Sequence, residues 1–462
     1  MIKLTERLVD MFPTRRSNNK HPDFSENFRG EIVEPGTKRY EELRLLFNGQ
    51  IDVRPSLILL CHGVSDVCEA LEYVRLNALP FVVRGGGHSV AGRSTIENGV
   101  VIDLRDMRSV RVDPSRSQVS CEPGATIGDL DRECSLFSLA TTGGIISCTG
   151  VAGLVLGGGL GWLMGRYGLS CDNLVSALVL LADGTIVEAS ESQNSDLLWA
   201  LRGGGGGVGI VLEFTLQAYP LNKVYCGSTI FDFSEASRVL SAYAEFVETA
   251  SNDLTLDCVL FTDVDGLKRI AIDGCFAGED TSSDPTIESI KNFPGSISSD
   301  WNWQEYWKFQ RSNDDDLREG RRSYWKSAYI RELNDDFISS VISAFESVPS
   351  VHTIFTFDHL HGRVMEFDES TSAFGHRDCK NLFLINANWD SDADDEDNFR
   401  WVRKTYAELG ILEADSSYIN YLGCDEDGRD AAAFDPGIRK RLLEVQRKYD
   451  KESLFSRTVC ID

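Results

Sequence analysis

"VVRGGGHSVAG" (residues 82–92) decides how the chain is read. An apolar stretch ends in a charged residue, Arg84, then in glycines 85–87, and His88 closes the run. The apolar residues predict a strand, "PFVVRGGG" (80–87). Successive glycine N–H groups after a strand can fold into a nest that takes an anion. The familiar phosphate loops do not fit. No GK[ST] follows, and no third glycine completes G-x-G-x-x-G.

Two further clusters lie downstream: "TTGGIISCTGVAGLVLGGGLGW" (141–162) and "RGGGGGVGI" (202–210). In the last, Gly204, Gly206 and Gly209 have the spacing of a dinucleotide fingerprint. They follow a predicted helix and precede a strand, the reverse of the order that seats a pyrophosphate on a helix N-terminus. The middle cluster joins Thr149, Gly150 and Gly153 to a second glycine turn, 157–161. Bare backbone in three places of one predicted domain points to a large flat anionic cofactor, because side chains would block its approach.

The surroundings limit the remaining choices. With 462 residues the chain is too long for one simple core, so two domains are expected. A net charge of −26 repels phosphate backbones and anionic lipids, so neither nucleic acid nor a membrane is an expected partner. The twelve cysteines contain no CxxC, which argues against zinc and thioredoxin-type chemistry. No apolar signal core opens the sequence, and no run of about 18 apolar residues occurs, so a cytoplasmic protein with reduced thiols is expected. "DSDADDED" (390–397) lacks the glycine and glutamate that a calcium loop needs at its sixth and twelfth positions and reads as a solvated turn.

Between Pro55 and Pro220 short strands alternate with helices. "SLILLCHG", "GVVIDLRDM" and "GIVLEFTLQAY" read as strands, and "SALVLLADGTIVEAS" as a hairpin through Asp183-Gly184. Ser65 and Ser195 are the expected N-caps of helices 65–79 and 195–202. After Pro220, strand-like runs ("IAIDGCFAG", "HTIFTFDHL", "NLFLINANWD") alternate with amphipathic helices ("DDFISSVISAFESV", "EDNFRWVRKTYAELG"). That texture predicts an α+β chain: an antiparallel sheet with helices on one face, then a return through "SSYINYLG" and "IRKRLLEVQRKYD".

These motifs together resemble one family. "RGGGHSVAG", "GVVIDLRDMRSVRVDP", "ATTGGIISCTGVAGLVLGGGLGWLMGRYGLSCDNL" and "DLLWALRGGGGGVGIVLEF" are similar to the FAD-binding domain of the vanillyl-alcohol-oxidase superfamily. The branch is that of berberine bridge enzymes, 6-hydroxynicotine oxidase and glucooligosaccharide oxidases. "YWKS" (324–327), "TSAFGHR" (371–377) and "YINYLG" (418–423) resemble its substrate domain and C-terminal return. The resemblance implies a two-subdomain PCMH-type FAD-binding domain over 1–220 with its core at 51–220. It implies a substrate domain over 221–414 and a return segment over 415–462.

It also implies the site. Arg84, Gly85, Gly86, Gly87, His88, Ser89, Thr149, Gly150, Gly153, Gly158, Gly159, Asn173, Val211 and Asn420 match cofactor-binding positions. His88 matches the histidine that the family joins to the flavin 8α-carbon. The cysteine that makes a second bond in many relatives is replaced by Ile146, with Cys148 two residues on, so a single covalent bond is expected. Gly207-Val208 stand where relatives have Asn-Phe, and the family's closing asparagines fall near Thr458 and Cys460.

The activity implied is oxidation of an alcohol or amine of a small molecule, in secondary metabolism, with O₂ as acceptor and H₂O₂ as product. A flavin dehydrogenase with another acceptor, and a non-redox FAD-binding cyclase or scaffold, stay open beside it. Tyr418 and Glu366 are the candidates for the base. A phenol with a pKa near 10 would need a cationic or hydrogen-bonded neighbour to ionise. Read as a strand, 364–368 would put Val364, Glu366 and Asp368 on one face. His359 and His361 form an HxH pair without convincing further ligands, so packing is expected and no metal. Lys326 is expected at the domain interface.

Overall fold

The computed structural model describes residues 27–279, 284–314, 319–410, 416–423 and 433–455. The proposed boundary at 414/415 and the positions Thr458 and Cys460 lie outside the described residues.

Three sheets carry the site. In the first, Leu57–Leu60, Val100–Asp103 and Phe81–Arg84 run parallel, and Glu31–Val33 adds an antiparallel edge. These strands are continuous apolar runs, as expected where both faces of a parallel sheet are covered. The helix Val64–Leu76 crosses over between two of them. Its N-cap is Gly63, not Ser65, and the Asp66 carboxylate accepts from the His62 N–H at 2.9 Å. A first-turn aspartate reaching back satisfies the preceding backbone as a capping serine would not.

The second sheet is antiparallel, in the order Val110–Asp113, Gln118–Cys121, Ile210–Gln217, Leu174–Leu180, Ile186–Ser190. Its last two strands are the hairpin expected through Asp183-Gly184, with Gly184 at φ +87°. The helix Ser195–Leu201 begins one residue earlier than its serine suggested: its N-cap is Asn194, which holds a left-handed conformation that asparagine tolerates well.

The third sheet has eight antiparallel strands between Lys223 and Trp389. Its period-two pattern divides two environments. On Leu254–Thr262, Leu254, Leu256, Cys258 and Leu260 pack into the core shared with the helices Ala236–Thr249, Asp335–Glu346 and Asp395–Glu408. Asp257, Val259 and Phe261 face the other way, into a cavity. The helix Pro436–Tyr449 returns to the second sheet, where Leu442 and Val445 share a core with Leu197, Trp199 and Phe214. A buried ion pair fastens the halves: Arg377 Nη2 stands 2.6 Å from Asp172 Oδ1, and both side chains are 1% exposed.

The acidic run 390–397 is not simply a solvated turn. Asp395 opens a helix, accepts from Trp389 Nε1 at 2.7 Å and pairs with Arg322. Lys326 lies over the rings of Tyr324 and Tyr406, within the substrate sheet and its covering helix. Among the described residues no helix is long and apolar enough to cross a membrane, and no group of three metal-ligating side chains is arranged around one ion.

Candidate active site

A cavity of about 670 Å³ lies between the two smaller sheets and the open face of the large one. Its floor is backbone. Gly85, Gly86, Gly87, His88 and Ser89 follow the strand Phe81–Arg84 directly into it. Thr149, Gly150 and Gly153 enter from the start of the helix Val151–Gly157, and Gly205, Gly206 and Gly207 from the third glycine cluster. Val211 and Asn420 complete the sequence-expected members, with Tyr418.

The glycines are required by approach distance. A Cβ on Gly86 would stand 2.5 Å from Gly150 Cα, and one on Gly150 would stand 2.6 Å from Gly86 Cα. Two backbones therefore meet with no room for a methyl group. At Gly153 a Cβ meets nothing within 4 Å. It would project into the open space of the cavity. A wide, flat group laid against main chain fits such a floor, so the residues present suit an isoalloxazine-bearing dinucleotide. Ser94 Oγ and Asp358 Oδ2, both in the cavity wall and buried, have no hydrogen-bond partner in the protein. Buried polar atoms of this kind require a ligand or water.

His88 stacks on Phe47 with centroids 3.8 Å apart. Burial lowers its pKa to about 4, so the imidazole is neutral and its nitrogen lone pair is available at neutral pH. Cys148 Sγ lies 3.5 Å from His88 Nε2, and Ile146 also lines the cavity. The thiol is held above its usual range, mainly by burial.

Five expected site residues stand elsewhere. Arg84 is fully buried behind the floor, donating from Nε to Ser94 O at 2.9 Å and pairing with Asp103 across the parallel strands. Its role is to anchor the loop that presents the glycines. Gly158 (φ +130°) and Gly159 (φ +92°) form a turn behind the wall, where a Cβ would strike Phe374 and Ser170 respectively. Asn173 Nδ2 donates to Tyr167 O and Leu169 O, and its Oδ1 accepts from Tyr219 Oη. Glu366 is exposed on the short helix Arg363–Glu366 and accepts from Asn252 Nδ2 at 3.3 Å. The strand expected there is absent because Gly362, at φ +54°, turns the chain into that helix. His359 and His361 stack on each other at 3.9 Å, away from the cavity.

Tyr418 does reach the cavity. Its hydroxyl accepts from the Gly159 N–H at 2.8 Å and the Asn420 amide at 2.9 Å. Both contacts favour the phenolate, but burial outweighs them and pushes the phenol up. At neutral pH it is a neutral hydrogen-bonding group.

The acidic chemistry comes from residues the sequence reading passed over. Asp273, Asp257 and Asp358 sit on three adjacent strands, Lys268–Phe276, Leu254–Thr262 and Ile354–His359. Asp257 is the register partner of both others, and all three line the cavity. Burial, then Asp358, then Asp273 push the Asp257 carboxyl well above the carboxylate range. Burial raises Asp358 to about 7. The signal was a single aspartate inside each apolar strand ("TLDCV", "AIDGC", "TFDHL").

Comparison with known proteins matches residues 55–190 to the family model of an FAD binding domain. An FAD-linked oxidoreductase of Dictyostelium discoideum is 28% identical over 94% of each chain. The (R)-6-hydroxynicotine oxidase of Paenarthrobacter nicotinovorans is 25% identical, over 94% of this chain and 97% of that one. The crystal structure of 6-hydroxy-D-nicotine oxidase from Arthrobacter nicotinovorans superposes with a TM-score of 0.87 at 25% identity, covering 94% of this chain and 98% of that one.

Proposed function

The chain being an FAD-linked oxidoreductase of the 6-hydroxynicotine oxidase and berberine-bridge-enzyme-like family, we propose that it is an oxidase of a small alcohol or amine, with its FAD tethered through His88 and Asp358 as base. One observation carries the reading. The unpartnered oxygen of a buried carboxyl with a pKa near 7 lies in the same cavity as the glycine floor and a neutral histidine.

In this reading Gly85, Gly86, Gly87 and Ser89 of the first cluster, with Thr149, Gly150, Gly153 and Val211, hold the cofactor. Arg84 and Asn173, with the turn at Gly158-Gly159, support these segments from behind. A flavin held there would supply the two-electron oxidation: the substrate's hydride and proton together would reduce O₂ to H₂O₂. The protein supplies the rest. Asp358 accepts the proton of the substrate O–H or N–H, and a pKa near the working pH suits a base for that transfer. Tyr418, held by Gly159 and Asn420, offers its hydroxyl proton to a substrate heteroatom. The apolar remainder of the sheet face, Val259 and Phe261 among it, keeps water out.

The test is a screen for H₂O₂ release over alcohols, amines and sugars, with photoreduction of the purified flavoprotein followed by admission of air. Rapid return of the oxidised spectrum and H₂O₂ from at least one substrate class is expected. Slow return with turnover by an artificial acceptor would identify a dehydrogenase. A flavin that no member of the panel reduces, with any acceptor, would favour a non-redox scaffold.

A further inference from the structure

We propose that Asn386 is a specificity-determining residue: its side-chain amide donates to a neutral acceptor oxygen of the substrate, such as a carbonyl, set about 13 Å from the O–H or N–H that Asp358 deprotonates. The inference rests on the oxidase reading and deepens it by naming the substrate class: an extended molecule with a reacting end, an apolar middle and an accepting far end.

Neighbours that can only donate or only accept fix the orientation of this amide. Trp325 Nε1 and Ser323 Oγ both reach Asn388 Oδ1, at 3.4 and 2.7 Å. An indole N–H can only donate, so the atom of Asn388 that meets it is the oxygen. Asn388 Nδ2 then donates to the His352 carbonyl at 3.3 Å and to Asn386 Oδ1 at 2.6 Å. Asn386 therefore turns its oxygen to Asn388, and its Nδ2 points away from that contact. Asn386 lines the cavity and is 3% exposed, and its Nδ2 meets no acceptor among the described residues. A buried donor of this kind is costly unless a ligand or water accepts from it.

Register sets the distance from this donor to the base. Asn386 is the partner of Ile354, which stands four residues before Asp358 on the strand Ile354–His359. Ile354, Thr356 and Asp358 all line the cavity, as alternate residues of one face do. At about 3.3 Å per residue the two polar positions lie about 13 Å apart along the sheet. The row between them is mostly apolar. Thr356 is opposite Leu384 on one side and Val259 on the other, and Val259 is opposite Ala271. All four line the cavity, and Thr356 carries the only hydroxyl among them. A run of sugar hydroxyls laid along this row would leave water and find few partners, whereas an alkyl or aryl spacer would bury apolar surface.

The probes are two matched pairs: methyl 10-hydroxydecanoate with 1-decanol, and methyl 6-hydroxyhexanoate with 1-hexanol. The extended decanoate is long enough to reach from Asp358 to Asn386, and the hexanoate is not. Each is titrated by calorimetry into the photoreduced, flavin-loaded enzyme under nitrogen, where no turnover intervenes. The decanoate is expected to bind about tenfold tighter than 1-decanol, the worth of one hydrogen bond made in a buried site. The hexanoate and 1-hexanol are expected to bind within about twofold of each other. Asn386→Leu, similar in shape but without a donor, should bring the decanoate to within about twofold of 1-decanol. The wild-type comparison decides the matter even if that variant fails to fold. Equal binding of the decanoate and 1-decanol to wild type, the same ester preference at both chain lengths, a preference that survives Asn386→Leu, or no binding of the decanoate would overturn the inference. The readout is separate from turnover. Length-dependent ester preference without oxidation of any substrate would sink the oxidase reading alone, and oxidation without that preference would sink this one alone.

Discussion

Replacing Asp358 by asparagine should make the protein more stable and less active at once. The carboxyl is buried in the cavity wall, and burial raises its pKa from 3.8 to about 7. Below about pH 4 the group is protonated in the folded and the unfolded chain alike. Between about pH 4 and 7 the unfolded chain releases a proton that the folded chain keeps, so stability falls as pH rises. Above about pH 7 the loss is complete, and it amounts to about 4 kcal/mol at 1.36 kcal/mol per pH unit. The amide of Asp358→Asn would carry no charge to bury. The variant should melt at the same temperature as wild type near pH 4 and higher near pH 8, by on the order of 5 °C. Its kcat/KM should fall by about 10²–10⁴, the usual worth of a positioned base. Melting curves at both pH values, beside turnover with any substrate found, test the two halves together. A wild-type stability that is flat from pH 4 to 8, or a variant that keeps the wild-type slope, would refute the reasoning.

Gly86→Ala should cost about 1–3 kcal/mol, because its Cβ would press on the Gly150 backbone and neither chain can yield cheaply; the ratio of flavin to protein absorbance in the purified variant should drop, and an unchanged ratio and melting temperature would count against the close approach. Tyr418→Phe should cost about 1–3 kcal/mol by leaving the Gly159 N–H unpaired, yet slow turnover less than Asp358→Asn does. The wild-type pH–rate profile should also show no limb from a tyrosine below about pH 10, since burial pushes that phenol up. Arg377→Ala should destabilise the fold by about 3–5 kcal/mol, because it strands Asp172 as an unpaired buried charge, whereas Arg377→Ala combined with Asp172→Asn should recover part of the loss. Denaturant titration of the two variants checks this.

Much of the cavity's glycine floor was legible because its physical requirement is local. A glycine run directly after an apolar strand announces bare backbone, and three such runs announce one ligand. The hairpin at Asp183-Gly184 and the alternation of the large sheet were visible for the same reason. What escaped depended on register. Asp257, Asp273 and Asp358 meet because three strands pair in one alignment, and slipping any strand by one residue would turn its aspartate into the opposite face. Nothing in each five-residue segment carries that alignment. Glu366 was misplaced because a short apolar stretch reads as a strand, while a positive φ at Gly362 commits it to a helix. Gly158 and Gly159 match a cofactor motif by spacing, but their glycines answer to Phe374 and Ser170 behind the wall. A motif gives the reason for a residue type without saying which neighbour imposes it.

The central claim is that this cavity holds FAD and that His88 anchors it. The direct measurement is acid precipitation of the purified protein, with flavin absorbance read in pellet and supernatant for wild type and His88→Ala. Wild type should keep its flavin in the pellet, because acid would not break the proposed bond to the neutral imidazole at the cavity wall. His88→Ala should release it all. Flavin in the wild-type supernatant, or flavin still in the His88→Ala pellet, would contradict the account.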